Sequence, residues 1–183
     1  KSKNLSLNGN ISCQSCHLVE FSSADGIPNA VGVFGEGKGK ERLKGDYLEI
    51  IPRNTLPFWG RGGKGFDTFF WDGKVDFSNN QKISQFGDNR PSNDPLIVSV
   101  HLPALEIGEM LTEDKTVSNH KLESIEYANE FYKKIVTNLK KKEQSVSRQL
   151  SNILGIQIDD LTYMEYARSI AAFIRNEFKI KKT

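Results

Sequence analysis

The string Cys13-Gln14-Ser15-Cys16-His17 holds both cysteines of the chain and the first of its three histidines. Two thiols at this spacing can close a local redox disulfide, supply half of a metal site, or take a haem through two thioethers. A zinc centre needs two further ligands, and His101 and His120 lie far away and are not spaced as a ligand pair. A thioredoxin-like pair would want a strand before it and a long helix after it. Here polar residues from Lys3 to Asn10 precede it, and Leu18-Val19-Glu20 and a glycine-rich loop follow. An imidazole directly after the second cysteine suits haem attachment, because the thioethers fix the porphyrin edge and place the adjacent ring over the iron. The string therefore points to one covalent haem c on Cys13 and Cys16, with His17 as proximal iron ligand. A redox disulfide is the alternative. Haem c is attached outside the cytoplasm, so the expected compartment is the periplasm.

The elements that must position this string are those of an ordinary globular chain. It has 183 residues, 37% hydrophobic and 26% charged, with a formal net charge of +2. That fits a single haem domain over residues 1–183 and carries no charge footprint for nucleic acid. No apolar run of about 18 residues suggests a membrane span. A removed secretion signal or a trimmed chain would each explain the start at Lys1.

Three textures follow one another. Residues 1 to 52 hold the haem string and the glycine-rich loop, residues 53 to 117 are rich in aromatics, glycine and proline, and residues 120 to 180 read as helix. Ile125, Ala128, Phe131 or Tyr132, Ile135 and Leu139 recur at helical spacing, with Ser124 as N-cap and Lys140-Lys141-Lys142 near the end. The lysines suit a solvated helix end, or docking to an acidic electron-transfer partner. Gln149 to Leu154 reads as a shorter helix stopped by Gly155. Asp159 or Asp160 opens the last helix, whose apolar face is Leu161, Met164, Ala167, Ile170, Ala171, Ile174 and Phe178. Gly32 to Lys38 matches the start of a phosphate-binding loop, but Gly39 replaces the Ser or Thr that would hold magnesium. A mobile surface loop is the expectation there.

The order of short motifs is more specific than any one of them. NGNISCQSCH ends at His17, Pro52-Arg53-Asn54-Thr55 follows, then Phe70-Trp71-Asp72-Gly73-Lys74, then Pro103-Ala104-Leu105-Glu106-Ile107-Gly108, and finally Ala167 to Phe173. This succession resembles the N-terminal haem domain of the bacterial di-haem cytochrome c peroxidases and their MauG-like relatives. The resemblance implies a mostly α c-type cytochrome domain with an irregular, aromatic-rich middle and one small β-hairpin at most. It also implies that the terminal helix crosses the haem-bearing segment.

By position, the resemblance makes Glu106 the distal acid/base, Trp71 an electron relay between haems and Asn54 a calcium ligand. Arg53 and Phe70 are expected near the haem. Each has a plainer reading: Phe70 and Trp71 as core aromatics around the Asp72-Gly73 turn, Glu106 as a helix-start carboxylate, Asn54 as one oxygen where calcium wants six or more. The departures are specific. The family carries two haems and this chain has one CxxCH. The proline after Arg53-Asn54 is displaced to Pro57, Ile107 stands where the family has methionine, and no histidine lies between Leu18 and Ile51 to cap the resting haem.

The sixth iron ligand then decides function, with His101, Met110, His120 and Met164 as the available side chains. His101 could line the distal pocket or coordinate iron, and Met110 would make a high-potential electron carrier. An open position beside Glu106 is what reduction of hydrogen peroxide or a related oxidant needs, with electrons from a redox partner protein or a second haem subunit. A non-enzymatic mono-haem electron carrier is the alternative, and a haem-based sensing or assembly module a third.

Overall fold

The computed structural model describes residues 1–43, 50–63, 65–112 and 124–180. His120 and residues 44–49 lie outside the described residues. The fold is mostly helical: α1 (Cys13–Cys16), α2 (Pro95–His101), α3 (Ile125–Lys142), α4 (Gln144–Leu154) and α5 (Tyr163–Glu177), joined by short 3-10 turns. One antiparallel pair, β1 (Thr68–Phe69) and β2 (Val75–Asp76), pairs Thr68 with Asp76 and Phe69 with Val75. This is the small hairpin expected around Asp72-Gly73. Its five-residue connection puts Phe70 at φ 65 and Gly73 at φ 68, so a non-glycine residue takes the left-handed region inside the FWDGK motif.

The helical third forms as its periodicity requires. Ser124 Oγ accepts from Tyr127 N, and α3 buries Ala128, Phe131, Tyr132, Ile135, Val136 and Leu139. The lysine triplet occupies its last turn, where cations meet unpaired carbonyls; Lys140 also reaches Asp159 O at 2.8 Å. Gly155 ends α4 with φ 66, the left-handed cap that glycine tolerates. The α4 start differs from expectation: it opens at Gln144, because Gln144 to Arg148 offers only the exposed Val146 as an apolar residue and so carries little apolar signal.

The last helix opens at Tyr163 rather than at Asp159 or Asp160, which sit in a 3-10 turn. Thr162 is the cap. Its Oγ1 accepts from Met164 N, and Glu165 Oε2 accepts from Thr162 N at 2.8 Å, a reciprocal capping box. Tyr163 and Tyr166 are buried with Ala167, Ala171 and Ile174, whereas Met164 and Ile170 are half-buried. Ala128 of α3 and Ala167 and Ala171 of α5 are fully buried, and the two helices pack on each other.

The middle stretch contains a helix that its composition hides. Asp94 Oδ1 accepts from Leu96 N and Ile97 N at 3.0 and 3.4 Å, and Pro95 occupies the first turn. The seven-residue α2 buries Leu96, Ile97, Val98, Ser99 and His101, so it shows no polar face and no readable period. It packs on α5 and on both strands, and Arg175 of α5 bonds Asp94 at 2.7 Å. One continuous apolar cluster unites α2, α3, α5 and the hairpin. Complete burial of a side chain such as Ile135 is worth about 1.5–3 kcal/mol.

The glycine-rich loop is tied down rather than free. Arg42 is 2% exposed, and its guanidinium donates to Val31 O (3.0 Å), Gly32 O and Gly37 O (3.4 Å). A buried cation clamping three carbonyls is no phosphate cradle: the guanidinium fills the turn.

Candidate functional site

The Cys helix is set by serines. Ser6, 1% exposed, accepts at Oγ from Asn10 N and Ile11 N and so shapes the turn leading into the string. Ser12 N donates to Ser15 Oγ, which caps α1. Within this single turn Cys13 and Cys16 stand three residues apart on one face, and both thiols are free and half-buried. Burial pushes the Cys13 thiol up and the Cys16 thiol up to about 12. These are not redox-poised thiolates, which would need depressed values.

His17 leaves the helix as its C-cap at φ −97, with its N–H on Cys13 O. The ring Nδ1 lies 2.8 Å from Ser23 O. With Nδ1 as donor, Nε2 keeps its lone pair, the arrangement by which a backbone carbonyl orients a metal-binding imidazole. Burial lowers His17 to about 4, so the ring is neutral at ordinary pH and able to ligate. Phe58 stacks on it with centroids 3.8 Å apart and planes 19° apart. Ser23 joins these two residues, since its Oγ accepts from Phe58 N at 2.6 Å. Ser22 and Ser23 have φ of 55 and 67, a double left-handed turn that aims the Ser23 carbonyl back at His17. Two free thiols on one helical face, followed by an oriented neutral imidazole, are a donor set that fits haem c.

The segment around Glu106 lies against this helix. Cys16 Sγ is 3.8 Å from Val31 O, and two residues on Val33 N donates to Gly108 O at 2.8 Å. The approach is so close that a side chain at Gly32 would collide with the Gly108 carbonyl. Glu106 caps the turn Pro103–Leu105, and Lys74 Nζ donates to its Oε2 at 3.0 Å. The same ammonium sits 4.6 Å from the Phe70 ring centroid. Phe70 and Lys74 of FWDGK thus meet Glu106, 32 positions after Lys74, through one cation.

The other expected residues distribute around this centre. Arg53 bonds Asp72 at 3.0 Å, and Trp71, 55% exposed, donates to Asn54 O at 3.1 Å, so the RNT and FWDGK segments interlock at the surface. The carboxylates that reach the neighbours of Asn54 are taken by them, Asp72 by Arg53 and Asp25 by Thr55, and among the described residues no group of three or more His, Cys, Asp or Glu side chains could hold a metal ion. Nothing in the donor set supports calcium there. His101 is 2% exposed, its Nδ1 2.7 Å from Ile97 O and its ring edge-on to Tyr132 and Tyr163. Met110 is buried in the turn after Glu106, with its N–H on Glu106 O. Met164 is half-buried against the core.

Two residues escaped the sequence reading. Ser23 is one; a lone serine in a loop carries no signal. Glu109 is the other, three residues after Glu106, and its carboxyl acts electrostatically on both Cys13 and Cys16. Burial first, then the Glu106 charge, raises Glu109 to about 7 against the opposing pull of Lys74. Its spacing from Glu106 was the only available clue.

Residues 1–181 match the family model described as di-haem cytochrome c peroxidase. No curated protein and no solved structure matches the chain. Among the described residues no helix is long and apolar enough to cross a membrane.

Proposed function

Because the chain belongs to the di-haem cytochrome c peroxidase family, we propose that it carries one covalent haem c on Cys13 and Cys16 and reduces hydrogen peroxide or a related oxidant in the periplasm. His17 Nε2 is the proximal iron ligand in this reading. The haem, when bound, supplies the redox-active iron at which the O–O bond is cleaved. The net change is H2O2 + 2 e⁻ + 2 H⁺ → 2 H2O, with the electrons from a partner protein or a second haem subunit.

The chain's own part is proton handling and positioning. Glu106 takes a proton from one peroxide oxygen at Oε1 and returns it to the other, which becomes the leaving water. Lys74 holds Oε2, keeping the carboxylate oriented with Oε1 available. Phe70 shares the Lys74 ammonium with Glu106, and the buried Met110 lies in the turn that follows. The observation that carries this reading is the Lys74–Glu106 pair, which joins two distant motifs beside the Cys helix.

The test is the ferric haem protein mixed with peroxide in a stopped-flow spectrometer. The expected outcome is a high-spin spectrum that changes rapidly, and a change slowed by about 10²-fold or more in Glu106→Gln, the usual weight of general acid–base catalysis. An unchanged rate in that variant would remove Glu106 from the mechanism. The alternative, a mono-haem electron carrier, rests on His101, whose Nδ1 contact to Ile97 O leaves Nε2 a lone pair much as in His17. It requires a low-spin spectrum in both redox states, indifferent to peroxide.

A further inference from the structure

His17 is the start of a chain of aromatic rings that ends at the surface. Phe58 stacks on its imidazole at 3.8 Å, Phe178 meets Phe58 edge-on at 5.4 Å, and Trp59 meets Phe178 edge-on at 5.5 Å. Phe173 joins at 6.0 Å from Phe178. The first pair is a close face-to-face stack, and the three edge-on spacings lie in the range favoured by aromatic pairs. Trp59 (49% exposed) and Ile180 (75%) line a surface cleft completed by Asn176, Glu177 and Lys179, and Phe173 (56%) is a further exposed ring against Phe178. Large exposed apolar side chains rimmed by polar ones mark interaction sites.

The path is built into the backbone. Gly60 N donates to Phe178 O at 2.8 Å, which pins the 58–60 turn to the end of α5. A side chain at Gly62 would meet the backbone of Arg175, and one at Gly60 would meet Ile180. At the other end Ser23 fixes Phe58 and His17 together. Trp71, by contrast, turns its indole N–H to Asn54 O, away from any ring contact among the described residues.

We propose that electrons enter the haem from the His17 side, along Trp59, Phe178 and Phe58, with Trp59 as the contact for a one-electron donor protein. This rests on the assignment of His17 as iron ligand but not on peroxide chemistry. The step is a single electron transfer: the donor's cofactor is oxidised by one electron, ferric haem is reduced to ferrous, and no bond or proton moves. The rings are contact bridges that shorten the tunnelling gaps; none changes oxidation state.

The test mixes the ferric haem protein with a reduced small c-type cytochrome and follows haem reduction, not turnover. Trp59→Leu should slow reduction by about tenfold or more, equivalent to about 1.4 kcal/mol of barrier, and Trp59→Phe should restore most of the rate. Phe58→Leu should act like Trp59→Leu, while Trp71→Leu stays at the wild-type rate. Dithionite, which is small enough to reduce the haem without docking, should act equally on all variants and shows that the site is intact. Wild-type rates in Trp59→Leu, or slowing in Trp71→Leu alone, would overturn the proposal. A protein that takes up no haem would instead defeat the underlying assignment, and one that is reduced normally but ignores peroxide would defeat only the peroxidase reading.

Discussion

At the scale of single residues, the site works by directing lone pairs and charges. His17 and His101 each place Nδ1 against a backbone carbonyl, which fixes the tautomer and leaves Nε2 as the acceptor. Lys74 supports Glu106, while Glu109 shares the same neighbourhood without a full counter-charge. That asymmetry has a pH consequence. An ordinary Glu ionises near 4.5, whereas burial and Glu106 hold Glu109 protonated up to about 7. Between those values the folded state binds a proton that the unfolded chain has lost, so this group's contribution to stability falls as pH rises through the window and is flat above it. The stability of the wild-type chain relative to Glu109→Gln should therefore decline from about pH 4.5 to about pH 8, measured by urea midpoints at each pH. A pH-independent difference would mean that Glu109 titrates normally.

At the scale of elements, legibility followed periodicity. The α3 helix was readable because six buried residues recur on one face, and Ser124 and the lysine triplet mark its two ends. The α2 helix was not, because a seven-residue element buried on most sides has no period to read; only Asp94-Pro95 signalled its start. The last helix was placed a few residues early because Asp159 and Asp160 imitate a cap, whereas Thr162 and Glu165 form the real one. Removing that cap has a definite cost. Thr162→Ala should destabilise the protein by about 1 kcal/mol, seen as a lower urea midpoint with an unchanged slope. An unchanged midpoint would show that tertiary packing of Tyr163 and Tyr166 alone sets the start of α5.

At the scale of the whole molecule, three stretches of the chain converge on α1. The Ser22–Ser23 turn orients His17, the loop at Val31–Val33 docks the Glu106–Gly108 turn beside Cys16, and the end of α5 reaches His17 through Phe178 and Phe58. The haem string itself was plain in the sequence, since five consecutive residues carry its chemistry. The partnership of Phe70, Lys74 and Glu106 was visible only as an order of motifs, because a contact across 32 positions leaves no local pattern. The roles of Ser23 and Trp59 left no local pattern, because they depend on which loops meet, and Glu109 offered only its spacing from Glu106.

The most direct measurement is the intact and peptide mass of the protein produced with haem-attachment machinery in a periplasm. The expected result is a single added haem, carried on the peptide that contains Cys13 and Cys16, and lost when both are replaced by alanine. A chain bearing no haem, or one whose Cys13 and Cys16 form a disulfide instead, would contradict the assignment on which the peroxidase reading stands.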